Sequence, residues 1–165
     1  MLYYSLFFSF IQLLAVKSSS EISLIIQGEG SQSIIYYLFY KEPSQVIING
    51  VIKNSCKKTC ELEDDLNNIT IIFDEEIVTC ENMFNSLINL KEIDLSKFDT
   101  SKVKNMSHMF YGCNNLEKIN FGKINTSSVE DMSYFFQYCN NLISIDLSNF
   151  DTSLVTNMFG MFSHC

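Results

Sequence analysis

Leu90 to Asn115 reads LKEIDLSKFDTSKVKNMSHMFYGCNN, Leu116 to Asn141 reads LEKINFGKINTSSVEDMSYFFQYCNN, and Leu142 to Cys165 reads LISIDLSNFDTSLVTNMFGMFSHC. A shift of 26 residues superimposes the three segments without a gap. Leu90, Leu116 and Leu142 align, as do Ile93, Ile119 and Ile145; Val103, Val129 and Val155; Met106, Met132 and Met158; and Cys113, Cys139 and Cys165. Self-similarity at a fixed period of this length marks a repeat architecture, in which each unit buries its apolar face against its neighbours. A degenerate earlier copy spans residues 66–89, with Met83 and Phe84 one period before Met109 and Phe110.

Within a unit, Leu90, Ile93, Leu95 and Phe98 follow the spacing of a leucine-rich repeat, with Ile93 and Leu95 pointing inward from a short strand. A turn is expected at Asp99 to Ser101. Val103, Met106, Met109, Phe110 and Cys113 then recur at helical spacing, which predicts a short amphipathic helix over 102–112. Ser127 and Glu130 have the pattern of a capping box at its start in the second unit. Asn114 and Asn115, or Asn140 and Asn141, suit a left-handed turn back to the next strand. The expected fold is an α/β solenoid of stacked strand-turn-helix coils.

The pattern I-D-L-S-x-F-D-T-S-x-V-x-N-M-x-x-M-F-x-x-C, from Ile93 to Cys113 and again from Ile145 to Cys165, resembles the BspA-type leucine-rich-repeat family of 26-residue surface-protein repeats. The resemblance implies a secreted or surface-displayed module that serves adhesion and recognition, with no catalysis and no cofactor. The position that holds a buried Asn in ordinary leucine-rich repeats carries Phe98, Ile124 and Phe150. The turn backbone is therefore expected to be satisfied by Asp99, Asn125, Asp151 and the Thr and Ser that follow.

Upstream, residues 19–65 show no 26-residue period and read as a β-rich cap over the first coil, or as a small domain of their own. Ile22 to Gln27 and Ile34 to Tyr40 are β-prone runs around Gly28, Glu29, Gly30 and Ser31, which predicts a hairpin. Gln45 to Ile52 adds a third strand, interrupted by Asn49 and Gly50. Residues 1–18 read as a signal peptide: Leu2 to Val16 carries no charge and precedes Lys17 and three serines, placing a mature N-terminus near Ser18 to Glu21. A retained anchor is the other reading of that stretch. Both place the chain in the secreted or cell-surface class.

Composition narrows the function. The chain has 165 residues, a net charge of -8, and no Arg among its basic residues, which argues against nucleic acid as a partner. Six cysteines in a secreted chain invite disulfides. Cys56 and Cys60, around Lys57 to Thr59, suit a local bridge, or one of them a bridge to Cys80; Cys113, Cys139 and Cys165 end apolar stripes and read as core thiols. His108 aligns with Tyr134 and Gly160, and His164 with Tyr138 and Gly112, so these read as variable surface positions rather than metal ligands or bases. The sequence offers no catalytic constellation.

The residues facing away from the core on the strands are the candidate ligand-binding face: Glu92, Asp94, Lys118, Asn120, Ser144 and Asp146. The column of Asp99, Asn125 and Asp151 reads as turn capping, with a calcium site as the sharper alternative. Asn68, Asn105 and Asn125 lie in N-x-[ST] sequons and are candidate glycosylation sites. The expected function is recognition of a protein or glycan; the alternative is a self-assembling coat or scaffold protein. The third unit keeps the full apolar pattern, so the chain is expected either to be a fragment of a longer array or to self-associate through an uncapped C-terminal coil.

Overall fold

A computed structural model describes residues 19–165; the leader reading falls on residues 1–18, which lie outside the described part. Eight strands form: β1 (Ser20–Gln27), β2 (Gly30–Ser33), β3 (Gln45–Ile48), β4 (Val51–Ile52), β5 (Thr59–Leu62), β6 (Leu66–Phe73), β7 (Leu90–Lys97) and β8 (Lys118–Asn120). Six of them make one sheet in the order β4-β3-β6-β1-β7-β8, and β2 and β5 make a second. Strict alternation on β1 sends Ile22, Leu24 and Ile26 into the core, while Ile69, Ile71 and Phe73 do the same from β6. From β7, Ile93 and Leu95 join them.

Among the described residues there is no helix, so the α/β solenoid of strand-turn-helix coils is not what this chain forms. It is a mostly-β fold. The reason lies at residues 102–112. His108 and Gly112 have φ of 56° and 69°, and a left-handed residue every four positions stops a right-handed helix before it completes a turn. The local bonds close over three residues instead: Met109 N–H to Met106 O, Tyr111 to His108, and Cys113 to Phe110. The intervening amides point along the stack. Met106, His108, Phe110 and Gly112 donate to the carbonyls of Asp131, Ser133, Phe135 and Gln137 one repeat on, at 2.8–3.0 Å. Met132, Tyr134, Phe136 and Tyr138 then donate to Asn157, Phe159, Met161 and Ser163 in the same way. A ladder between repeats thus replaces a ladder within a helix, and the apolar side chains still reach the core. The capping-box reading of Ser127 and Glu130 falls with the helix: the Ser127 N–H goes to Asn125 Oδ1, and Glu130 pairs with Lys104. The left-handed turns sit at 108 and 112 and their equivalents, not at the Asn pairs.

Every repeat adds one layer to columns that run through the core. Phe84, Phe110, Phe136 and Phe162 stack at ring separations of 5.6, 5.6 and 5.4 Å, nearly parallel. Thr100 Oγ1 donates to Asn125 O and accepts from Asn125 N–H; Thr126 does the same with Asp151. Cys113, Cys139 and Cys165 each direct Sγ to the carbonyl of a Phe in the preceding repeat. Asp99, Asn125 and Asp151 accept N–H bonds from Ser101, Ser127 and Ser153, which is how the turns after Phe98, Ile124 and Phe150 are closed.

The N-terminal strands pair differently from the sequence expectation. β1 and β2 do not form a hairpin; β2 pairs with β5, and residues 34–40 form no strand. β1 inserts antiparallel between β6 and β7, so β6 and β7 run parallel with one strand between them. On the far limb nothing intervenes: Cys80, Asn82, Phe84 and Ser86 donate directly to Asn105, Ser107, Met109 and Tyr111. Asn49 and Gly50, both with positive φ, turn β3 into β4 as a two-residue hairpin.

Candidate functional site

Strand alternation also fixes what faces outward. The register sets Thr70, Ser23, Asp94 and Asn120 side by side across β6, β1, β7 and β8, with Asn68, Ile25, Glu92 and Lys118 in the next row. The two rows line an open concavity of about 480 Å³ on the outer face of the sheet. Four of the six expected face residues, Glu92, Asp94, Lys118 and Asn120, therefore meet in one place, together with β1 and β6 residues that the repeat pattern could not reveal. Ser144 and Asp146 are exposed in the third repeat, outside that concavity, where no strand continues the sheet. Asp146 Oδ1 accepts the Ser148 N–H.

The face is pre-ordered. Lys118 Nζ lies 2.7 Å from Glu92 Oε1, and the Asn120 amide donates to Asp94 Oδ2 at 3.1 Å. Partial burial pushes the Asp94 carboxyl up, but the Ser96 N–H and hydroxyl, the Asn120 amide and the Lys97 charge together hold it below its usual range. It accepts hydrogen bonds as a carboxylate at neutral pH. Asn68 is exposed at the rim, so a glycan at that sequon would overlie the groove. Asn105 and Asn125 are engaged in turns, accepting from Ser107 and Ser127 N–H.

The cysteines divide as follows. Cys56 and Cys60 form a disulfide, and Cys80, Cys113 and Cys139 are buried free thiols. Cys165 is exposed, contrary to its reading as a core thiol. Among the described residues no group of three or more His, Cys, Asp or Glu is placed to hold a metal ion, and the Asp99 column spends carboxylate oxygens on its own turns. Burial raises the Cys80 and Cys113 thiols, and takes Cys139 to about 12. An unfolded thiol ionises near pH 8.5. Above that pH the unfolded chain releases protons that the folded chain keeps, so folding stability falls by about 1.4 kcal/mol per pH unit for each such thiol. Denaturant melts between pH 8 and 11 should show this decline, and Cys113→Ala should reduce its slope.

Sequence reasoning passed over one surface. The equivalent positions Asn82, His108, Tyr134 and Gly160, and likewise Ser86, Gly112, Tyr138 and His164, all have φ between 55° and 69°. That conformation costs a side chain with a Cβ roughly 1–2 kcal/mol, and Gly or Asn least. Yet four of the eight are His or Tyr. Together with Tyr111 and Phe159 their rings form one unbroken chain: Phe159 to Tyr134 at 5.4 Å, Tyr134 to His108 at 4.7 Å, His108 to Tyr111 at 5.6 Å, Tyr111 to Tyr138 at 5.5 Å and Tyr138 to His164 at 4.8 Å. A Cβ on Gly160 would come within 2.8 Å of the Tyr134 ring, so Gly160 is the floor on which that ring lies. The exchange of His, Tyr and Gly in these columns was the available signal: it marked a backbone conformation rather than an unconstrained surface.

Fold and site together define a mostly-β protein of in-register 26-residue repeats with a pre-ordered polar groove on its sheet. Residues 63–165 match the model of the family described as Mycoplasma protein of unknown function, DUF285, and the chain belongs to that family. This match, with the helix-free fold, replaces the BspA-type leucine-rich-repeat assignment. No curated protein and no solved structure matches the chain.

Proposed function

We propose that the chain is a secreted or surface-displayed recognition module, without enzymatic activity, that binds a protein or glycan through the groove across β6, β1, β7 and β8. The observation that carries the reading is the convergence of Ser23, Asn68, Thr70, Glu92, Asp94, Lys118 and Asn120 on one concave face. Small-molecule and macromolecular sites favour concavity with a few fixed polar groups. The Glu92–Lys118 pair and the Asp94 carboxylate favour a protein ligand with charged and hydroxyl side chains.

Labelled protein should attach saturably to cells or decellularised matrix. Lys118→Glu, which reverses an exposed charge in the groove, should weaken that attachment about tenfold. Lys104→Glu, an equal charge change at a pair outside the groove, should leave it unchanged. Equal losses for the two variants, or no saturable attachment, would refute the groove as the site.

A second reading, a self-assembling coat or scaffold protein, draws on the third repeat. Ile143, Leu154, Met158, Phe159 and Phe162 are exposed there, and among the described residues the N–H groups of Met158, Gly160, Phe162 and His164 have no acceptor. Sedimentation over a concentration series separates the readings, because a groove binder stays monomeric and a coat protein self-associates.

A further inference from the structure

We infer that the chain of rings on the limb away from the sheet is a second binding strip, and that its ligand is a neutral glycan. The first ground is conformational. Gly or Asn would occupy the left-handed positions at 108, 134, 138 and 164 with less strain, so the sequence holds His and Tyr there against the backbone preference. Strained residues that persist point to a use for the side chain. The second ground is a further unfavourable term at the same place: Nδ1 of His108 is buried with no hydrogen-bond partner.

The third ground is chemical. None of the eight left-handed positions carries Asp, Glu or Lys, in a chain of net charge -8. The strip combines exposed aromatic surface, greatest at Phe159 and Tyr138, with phenol and imidazole groups that both donate and accept hydrogen bonds. A neutral sugar chain matches that inventory, because its hydroxyls donate and accept while its C–H faces pack on rings. An anionic ligand finds no Lys among these positions, and the nearby Asp131 carboxylate opposes it.

The test uses the chain's own tyrosines, since it has no Trp to dominate the emission. Cellohexaose, chitohexaose and laminarihexaose are titrated to about 10 mM, with a heparin hexasaccharide as the charged control. At least one neutral hexasaccharide should give a saturable change, and Tyr134→Asn and Tyr138→Asn should each weaken it about tenfold or more. Asn suits the left-handed backbone, so both variants should melt within about 2 °C of the parent. Lys118→Glu should leave sugar binding intact, which keeps this strip separate from the sheet groove.

Absence of saturation with all three neutral sugars, or binding confined to heparin, would overturn the proposal. So would a large fall in melting temperature for the Asn variants, since the rings would then serve the fold by stacking. Loss of protease-sensitive matrix attachment in the same variants, without sugar binding, would assign the strip to a protein ligand instead.

Discussion

Phe110→Ala should destabilise the protein by about 3–5 kcal/mol, the range for removing a fully buried aromatic ring from a core that cannot collapse around the cavity. The ring has no exposed surface and sits between Phe84 and Phe136 in the column of four, with Phe135 against its side. Two stacked contacts are lost along with the transfer energy of the ring, each worth about 0.5–1.5 kcal/mol beyond area burial. The neighbours are fixed by ladders to the repeats on both sides, so relaxation into the cavity is restricted. Phe162, at the end of the same column, is 46% exposed and has one stacked neighbour. Its replacement by Ala should cost less than half as much. Guanidinium melts of the two variants would show the contrast, and equal losses would mean that the column is not a continuous packed element.

Gly122→Ala should cost about 2–4 kcal/mol, because two separate penalties fall on one methyl group. The residue has φ of 55°, and a Cβ there would lie 2.6 Å from both Cα and Cβ of Ser96 in the preceding repeat. Ser96 Cα is backbone and cannot swing aside. Movement of residue 122 itself is opposed by its N–H bond to Asn120 Oδ1 and by the Asn149 amide on its carbonyl. Gly50 separates the two penalties: its φ is 81°, but nothing lies within 4 Å of the position a Cβ would take. Gly50→Ala should therefore show the backbone cost alone, about 1–2 kcal/mol. If the two substitutions cost the same, the close approach at Ser96 is not part of the native packing.

The repeat period, the inward positions of Ile93 and Leu95 and the outward positions of Glu92 and Asp94 were legible because they depend on spacing alone. The helix was misread because apolar residues at intervals of three, as in Val103, Met106 and Met109, suit a helix and a run of linked turns equally well. What decides between them is where the intervening N–H groups go, and their acceptors lie one repeat away. The groove was only half legible for a related reason. Ser23, Thr70 and Asp94 share a row because β1 inserts between β6 and β7. No local pattern around Ser23 encodes that choice of neighbours. Ile34 to Tyr40 has strand-like composition, but Ile34, Ile35 and Phe39 anchor a turn in the core while Tyr37, Leu38 and Tyr40 face outward. Tertiary packing overrode propensity there.

Over residues 106–112 and 132–138 the bonds between repeats run one way, from the amides of one unit to the carbonyls of the next, whereas Lys104, Glu117, Glu130 and Thr156 donate backward, to Val78, Lys91, Lys104 and Glu130. Those segments therefore have a sense, as a row of plugs and sockets does. Each repeat there joins its neighbour in one orientation only, which holds the Phe, Thr and Cys columns in register along the stack.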